Sequence, residues 1–235
     1  LKDWTRNDFI QDWVRGRAAL NVKLSKEKFQ RHPYEPCYLY ESGIRPLEQY
    51  PVRGVIWYQG ESNAHNCEAH EKLFKLLVGS WRKNWKNEDL PFYYVQLSSI
   101  ARPSWPWFRD SQRRMMAEIP NTGMAVSSDY GDSLDVHPRN KKPVGERWAL
   151  NKTYGMHDVL PSGPLFCRAD FCEDVVYVTF DYGKGLKSSD GGPLRTFEVA
   201  ETDGVYYPAV AEIINGQIKV YSEQVKRPRY IRYGW

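Results

Sequence analysis

The sequence has no apolar run approaching the ~18 residues that a membrane-spanning helix requires. Its longest apolar stretches, such as Val55–Tyr58, are short. Cysteine is sparse: Cys37, Cys67, Cys167 and Cys172 form no Cys-x-x-Cys pair and no zinc-ligand spacing. A secreted disulfide scaffold would be shorter and richer in cysteine, although the spacing leaves a Cys167–Cys172 bridge open. Charge of one sign is scarce too, since 33 basic and 29 acidic residues leave +4 with both signs interspersed. That balance is too mild for a nucleic-acid partner, and no base-reading motif accompanies it. There is no internal repeat and no low-complexity tract. The chain opens on Leu1 without a charged and then apolar leader, so it reads as a processed or truncated piece.

What remains is the composition of a water-soluble globular protein. Of 235 residues, 41% are hydrophobic and 26% charged, enough for one large domain or a medium domain with a small one. Arg53–Tyr58 is a short β-branched and aromatic run that reads as a buried strand, and Pro91–Leu97 and Gly123–Ser127 read as a second and a third strand. Between them lie amphipathic patterns. Ala69, Leu73, Leu76, Leu77 and Trp81 recur at spacings of three and four across 68–85. Phe108, Met115, Met116 and Ile119 mark a second helix, placed after Pro106 as a breaker. A third helix is expected over Val144–Tyr154, ended by Gly155. This strand–helix alternation predicts an α/β fold with a parallel sheet flanked by helices.

After Pro161 the texture becomes β-rich. Strands are expected at Val175–Phe180, Phe197–Ala200, Gly204–Ala211 and Gln217–Tyr221, with an Asn215-Gly216 hairpin turn. A domain change is therefore expected near residue 160, giving domains 1–160 and 161–235. Near the start, a helix over about 6–20 precedes irregular, extended chain marked by Pro33, Pro36 and Pro46.

Ligands of open parallel sheets bind beyond the carboxyl ends of the strands. Three loops leave that edge: Gln59-Gly60-Glu61-Ser62-Asn63, the loop after Gln96–Ser99, and one carrying Asp129, Asp132, Asp135 and His137. A histidine with a carboxylate to orient its ring can take and return a proton near neutral pH. Amide and backbone N–H groups can hold an oxyanion. Those parts suit acyl transfer, although the first loop reads equally well as a polar turn and the aspartates as turn formers. Ser62 is a poor nucleophile, because nine residues separate Tyr58 from Glu68 and the second glycine of a nucleophile elbow is missing. His65 and His70 are five apart, unsuited to a helical metal pair, and both read as solvated residues at a helix start. Trp105 and Trp107 lie on the ligand edge, where aromatic faces suit sugars, although burial is the commoner fate of tryptophan.

Taken together, Pro36–Tyr40, Arg53–Ala64 (RGVIWYQGESNA), Leu90–Leu97, Trp105–Asp110 (WPWFRD) and Asp129–Arg147 (DYGDSLDVHPRNKKPVGER) resemble the sialate O-acetylesterase family. These are SGNH-type esterases, and the resemblance covers most of residues 33–235. It implies a partial SGNH-like α/β sheet through residue 160 with a β-rich accessory region after it. It also implies an acetylated sugar as substrate and no metal or organic cofactor. His137 would be the general base and acid. Gln59, Gly60 and Glu61 would form the oxyanion and substrate-binding block. The orienting carboxylate would be Asp135, with Asp132 as the alternative, because the position three before the histidine is Leu134. The family's Gly-Gln-Ser-Asn nucleophile block is absent between Leu1 and Trp235. The resemblance therefore places the serine before Leu1, leaves this piece inactive alone with an unpaired sheet edge, and suggests a periplasmic or secreted setting. Two other readings stay open: an acetylxylan or general sugar esterase, and a non-catalytic carbohydrate-binding protein.

Overall fold

The amino-terminal helical pattern becomes α1 (Asp12–Leu24), which runs past the end expected for it. The computed structural model describes residues 12–25, 33, 35–148 and 163–235. The chain divides into two units, Leu1–Arg53 with Gly79–Glu88, and Gly54–Val78 with Asp89–Trp235. In the first unit the proline-marked stretch is not extended. It forms a π turn at Tyr40–Ile44 and a 3-10 turn at Arg45–Leu47. Tyr40 donates its hydroxyl hydrogen to Glu48 and accepts one from Asn84.

In the second unit, β1 (Val55–Trp57) leads to α2 (Cys67–Asn84), whose residues to Val78 belong here. Then follow β2 (Phe92–Val95), α3 (Trp105–Glu118), β3 (Thr122–Ala125) and α4 (Lys142–Trp148). The three strands pair in parallel in the order β1-β2-β3. Successive strand residues face opposite sides, and β2 shows it. Phe74 of α2 meets Phe92 and Tyr94 edge-on at 5.8 and 5.1 Å, while Val144 of α4 packs on the opposite side with Val95 and Tyr93. The expected α/β architecture, a parallel sheet with helices on both faces, is what forms.

Two details depart from the sequence reading. In α2 the buried stripe is His70, Phe74 and Val78, while Leu73 and Leu76 are 59% and 69% exposed. Both stripes satisfy helical spacing, and the polar His70 disguises the one that faces the sheet. Pro106 does not break α3 but stands in its first turn, where a missing N–H loses no hydrogen bond. The Gly155 cap and the boundary near 160 lie outside the described residues.

The β-rich region holds β4 (Leu165–Cys172), β5 (Val175–Asp181), β6 (Phe197–Ala200), β7 (Tyr207–Pro208), β8 (Val210–Ile214), β9 (Gln217–Tyr221) and β10 (Tyr230–Tyr233). They form antiparallel sheets ordered β4-β5-β9-β8 and β10-β6-β7, sharing a core of Val176, Val178, Phe197, Val199, Ile218 and Val220. Asn215 and Gly216 both take positive φ, 51° and 78°, as the β8–β9 hairpin turn requires. Strands β4 and β10 were not expected. The Cys167–Cys172 bridge does not form, because both thiols are free on the same strand, about 16 Å apart at strand spacing. No helix among the described residues is long and apolar enough to cross a membrane.

Candidate active site

The parallel strands deliver three loops to one edge of the sheet, and α3 fixes the middle one. Gln112, only 2% exposed, accepts from the Leu97 N–H at 2.9 Å and donates to the Val95 carbonyl at 3.0 Å. Gln96 Nε2 donates to the Arg109 carbonyl at 2.9 Å, and Trp105 Nε1 donates to the Ser98 carbonyl at 2.6 Å. The backbone leaving β2 is thus satisfied by side chains where the ladder ends, which holds it in a single path. Beside it, Ser99 Oγ donates to the Ser128 carbonyl and the Ala101 N–H to the Ser133 carbonyl, tying this loop to the one after β3.

The first loop turns on Gly60. Its φ is +150°, and a Cβ there would stand 2.7 Å from Phe108 Cζ, so no side chain fits without displacing the ring. Gln59 is partly buried and Gly60 fully buried. The Gly60 N–H donates to Glu61 Oε2 at 3.0 Å. The donor expected to face an oxyanion is therefore held by a carboxylate, which must turn aside before that N–H can serve an anion. Ser62 is exposed within the 3-10 turn Glu61–Asn63, not at a strand-to-helix elbow.

Asn63 closes this loop through a contact that sequence reading missed. Its Nδ2 donates to Nδ1 of His70 at 3.2 Å. His70 is 4% exposed rather than solvated, with its ring 4.6 Å from that of Phe108. Burial pushes its imidazole down to about 4, and nearby Glu71 only partly opposes this. The ring is neutral near pH 7, as an acceptor from an amide must be. His65, by contrast, is exposed.

In the third loop, Asp135 Oδ1 accepts the His137 backbone N–H at 2.9 Å and lies 3.2 Å from His137 Nδ1. The backbone hydrogen bond, ahead of the ring contact, holds the Asp135 carboxyl below its ordinary value. The other aspartates are engaged elsewhere: Asp132 accepts from the Leu134 N–H at 2.7 Å, and Asp129 forms a two-oxygen pair with Arg147. Leu134 is 89% exposed. Val136, just before the histidine, packs on a cluster formed by Ala64, Leu97, Trp105 and Phe108. All three loops therefore anchor in the same apolar knot: Ala64 from the first, Leu97 from the second, Val136 from the third. The His137 ring itself is open to solvent. The two tryptophans separate, Trp105 being buried and Trp107 63% exposed.

The family described as carbohydrate esterase, sialic acid-specific acetylesterase matches residues 10–151. Sialate O-acetylesterase of Homo sapiens is 31% identical over 186 residues, 66% of this chain and 36% of that protein. The Rattus norvegicus sialate O-acetylesterase is 28% identical over 189 residues, 69% of this chain and 34% of that protein. A crystal structure of a carbohydrate acetylesterase from Xanthomonas citri superimposes with a TM-score of 0.75 at 36% identity, covering 82% of this chain and 47% of that one. The chain spans about a third of the length of the curated relatives it matches.

Proposed function

This chain belongs to the carbohydrate esterase family of sialic acid-specific acetylesterases, and on that premise we propose that it is part of an enzyme removing acetyl groups from sugar hydroxyls. The observation that carries the reading is the Asp135–His137 contact, in a loop anchored to the same cluster as the Gln59–Asn63 loop. In the proposed reaction a serine outside these 235 residues attacks the acetyl carbonyl, and His137 takes its proton. The tetrahedral oxyanion is met by the Gln59 amide and by the Gly60 N–H once Glu61 has swung away. His137 then returns the proton to the departing sugar oxygen, leaving acetyl-serine. A water molecule attacks that ester, again giving its proton to His137, and acetate leaves as the serine recovers its hydrogen. Asp135 keeps the ring oriented and offsets the charge that it gains.

Within this proposal, residues to about 160 form the carboxyl-terminal part of the SGNH-like esterase domain and 161–235 an accessory β domain. One observation favours a second reading, a non-catalytic sugar binder: Trp107 and Trp235 meet edge-on at 4.6 Å with exposed faces. Acetate release decides between them. The full-length protein is incubated with O-acetylated sialic acid and the acetate quantified. Turnover supports the esterase; binding without acetate favours the binder. Faster turnover of acetylated xylan than of acetylated sialic acid would point to a general sugar esterase.

A further inference from the structure

Arg109 carries a charge that has no ion-pair partner among the described residues. Its backbone carbonyl is used by Gln96, but its side-chain Nε is buried and makes no hydrogen bond among the described residues. The nearby carboxylates are committed to other groups. Asp110 pairs with Arg113 at 2.9 Å and Arg114 at 3.2 Å, and Glu71 accepts from Ser111 and Arg114. Burial alone pushes the Arg109 guanidinium below its ordinary value. Unpaired buried charge is costly to a fold, and such groups concentrate where a ligand brings the opposite charge.

Arg109 lines a cavity of about 210 Å³ walled by Ser99, Ile100, Trp105, Ser133 and Trp235. The volume falls below the roughly 300–1,000 Å³ of a site that swallows a whole small molecule, so this one takes part of a ligand. Among the described residues Arg109 is the one charged residue lining the cavity, and it carries a planar guanidinium. That matches the single charge and two oxygens of a carboxylate, whereas a phosphate dianion would call for a second cation. Trp235 adds an aromatic surface suited to a sugar ring, partly exposed and set against Trp107. Ser133 stands two residues before Asp135, in the loop that leads to His137.

We propose that this cavity is a subsite for the carboxylate of an acidic sugar, read by Arg109, which presents the rest of that sugar to the His137 loop. The proposal rests on the esterase reading and names the feature of the substrate that this side of the site recognises. It is tested by calorimetric titration of the full-length protein with N-acetylneuraminic acid and with its methyl ester, the same sugar without the charge. The acid is expected to bind about tenfold or more tightly than the ester. Arg109→Met should erase that preference while holding or raising the melting temperature, since it removes an unpaired buried charge. Arg109→Lys should keep a reduced preference. Equal affinities in the wild type, a preference that survives Arg109→Met, or marked destabilisation by that change would each overturn the proposal. Hydrolysis of p-nitrophenyl acetate by the wild type reports the esterase reading separately. Carboxylate preference without hydrolysis leaves the subsite and removes the esterase; hydrolysis without preference does the reverse.

Discussion

One carboxylate oxygen of Asp135 serves His137 twice, accepting its backbone N–H at 2.9 Å and lying 3.2 Å from its Nδ1. The same atom therefore shapes the turn and contacts the ring, which leaves Nε2 as the nitrogen that the proposed proton transfer would use. The two roles separate under mutation.

Asp135→Asn retains an oxygen acceptor for the turn but removes the charge that steadies a protonated ring. If the proposed mechanism holds, the full-length protein should lose about tenfold or more in kcat with KM and melting temperature little changed. Asp135→Ala, which removes both contacts, should also lower the melting temperature. Steady-state kinetics with thermal melts make the comparison. Equal kcat for Asn and wild type would assign Asp135 to the turn alone.

Gly60 holds its loop against Phe108 with no room for a methyl group. Gly60→Ala forces both an overpacked contact and an unfavourable backbone, together costing roughly 3 kcal/mol. Phe108→Leu in the same chain should recover part of the loss by opening space at the ring. Denaturant unfolding of the single and double variants measures this. A Gly60→Ala midpoint equal to wild type would refute the close approach.

His70 makes folding sensitive to mild acid. Its folded value of about 4 lies below the ordinary 6.5, so the unfolded chain binds the extra proton first. Its contribution is complete above about pH 6.5 and is lost as pH falls toward 4, by an amount on the order of 2 kcal/mol. His70→Phe should flatten the stability profile across that window, and should cost stability at pH 7 because Asn63 loses its acceptor. Unfolding free energies at pH 7 and 4.5 provide the check; an unchanged slope in the variant would contradict it.

The parts of the fold that sequence made legible are those fixed by local chemistry. Strands at 55 and 92 are compact β-branched and aromatic runs, the strand at 122 is a short apolar run between polar segments, and Asn215-Gly216 supplies the left-handed pair that its hairpin needs. Strand β4 was hidden because Arg168 and Asp170 interrupt it and Phe166 and Phe171 are exposed, so no alternation emerges. At the site, Asp135 and His137 are neighbours in sequence and their contact is local. Asn63 with His70 and Gln112 with the end of β2 were not legible, since each is a polar side chain in an apolar helical stripe. Arg109 hides for a related reason: an arginine on a helix reads as solvated until the fold covers it.

The account stands most directly on the turnover of His137→Ala. In the full-length protein acting on O-acetylated sialic acid, kcat should fall by about 10²–10⁴-fold, with partial recovery on adding free imidazole. A variant that releases acetate at the wild-type rate would remove His137 from the chemistry and the proposed mechanism with it.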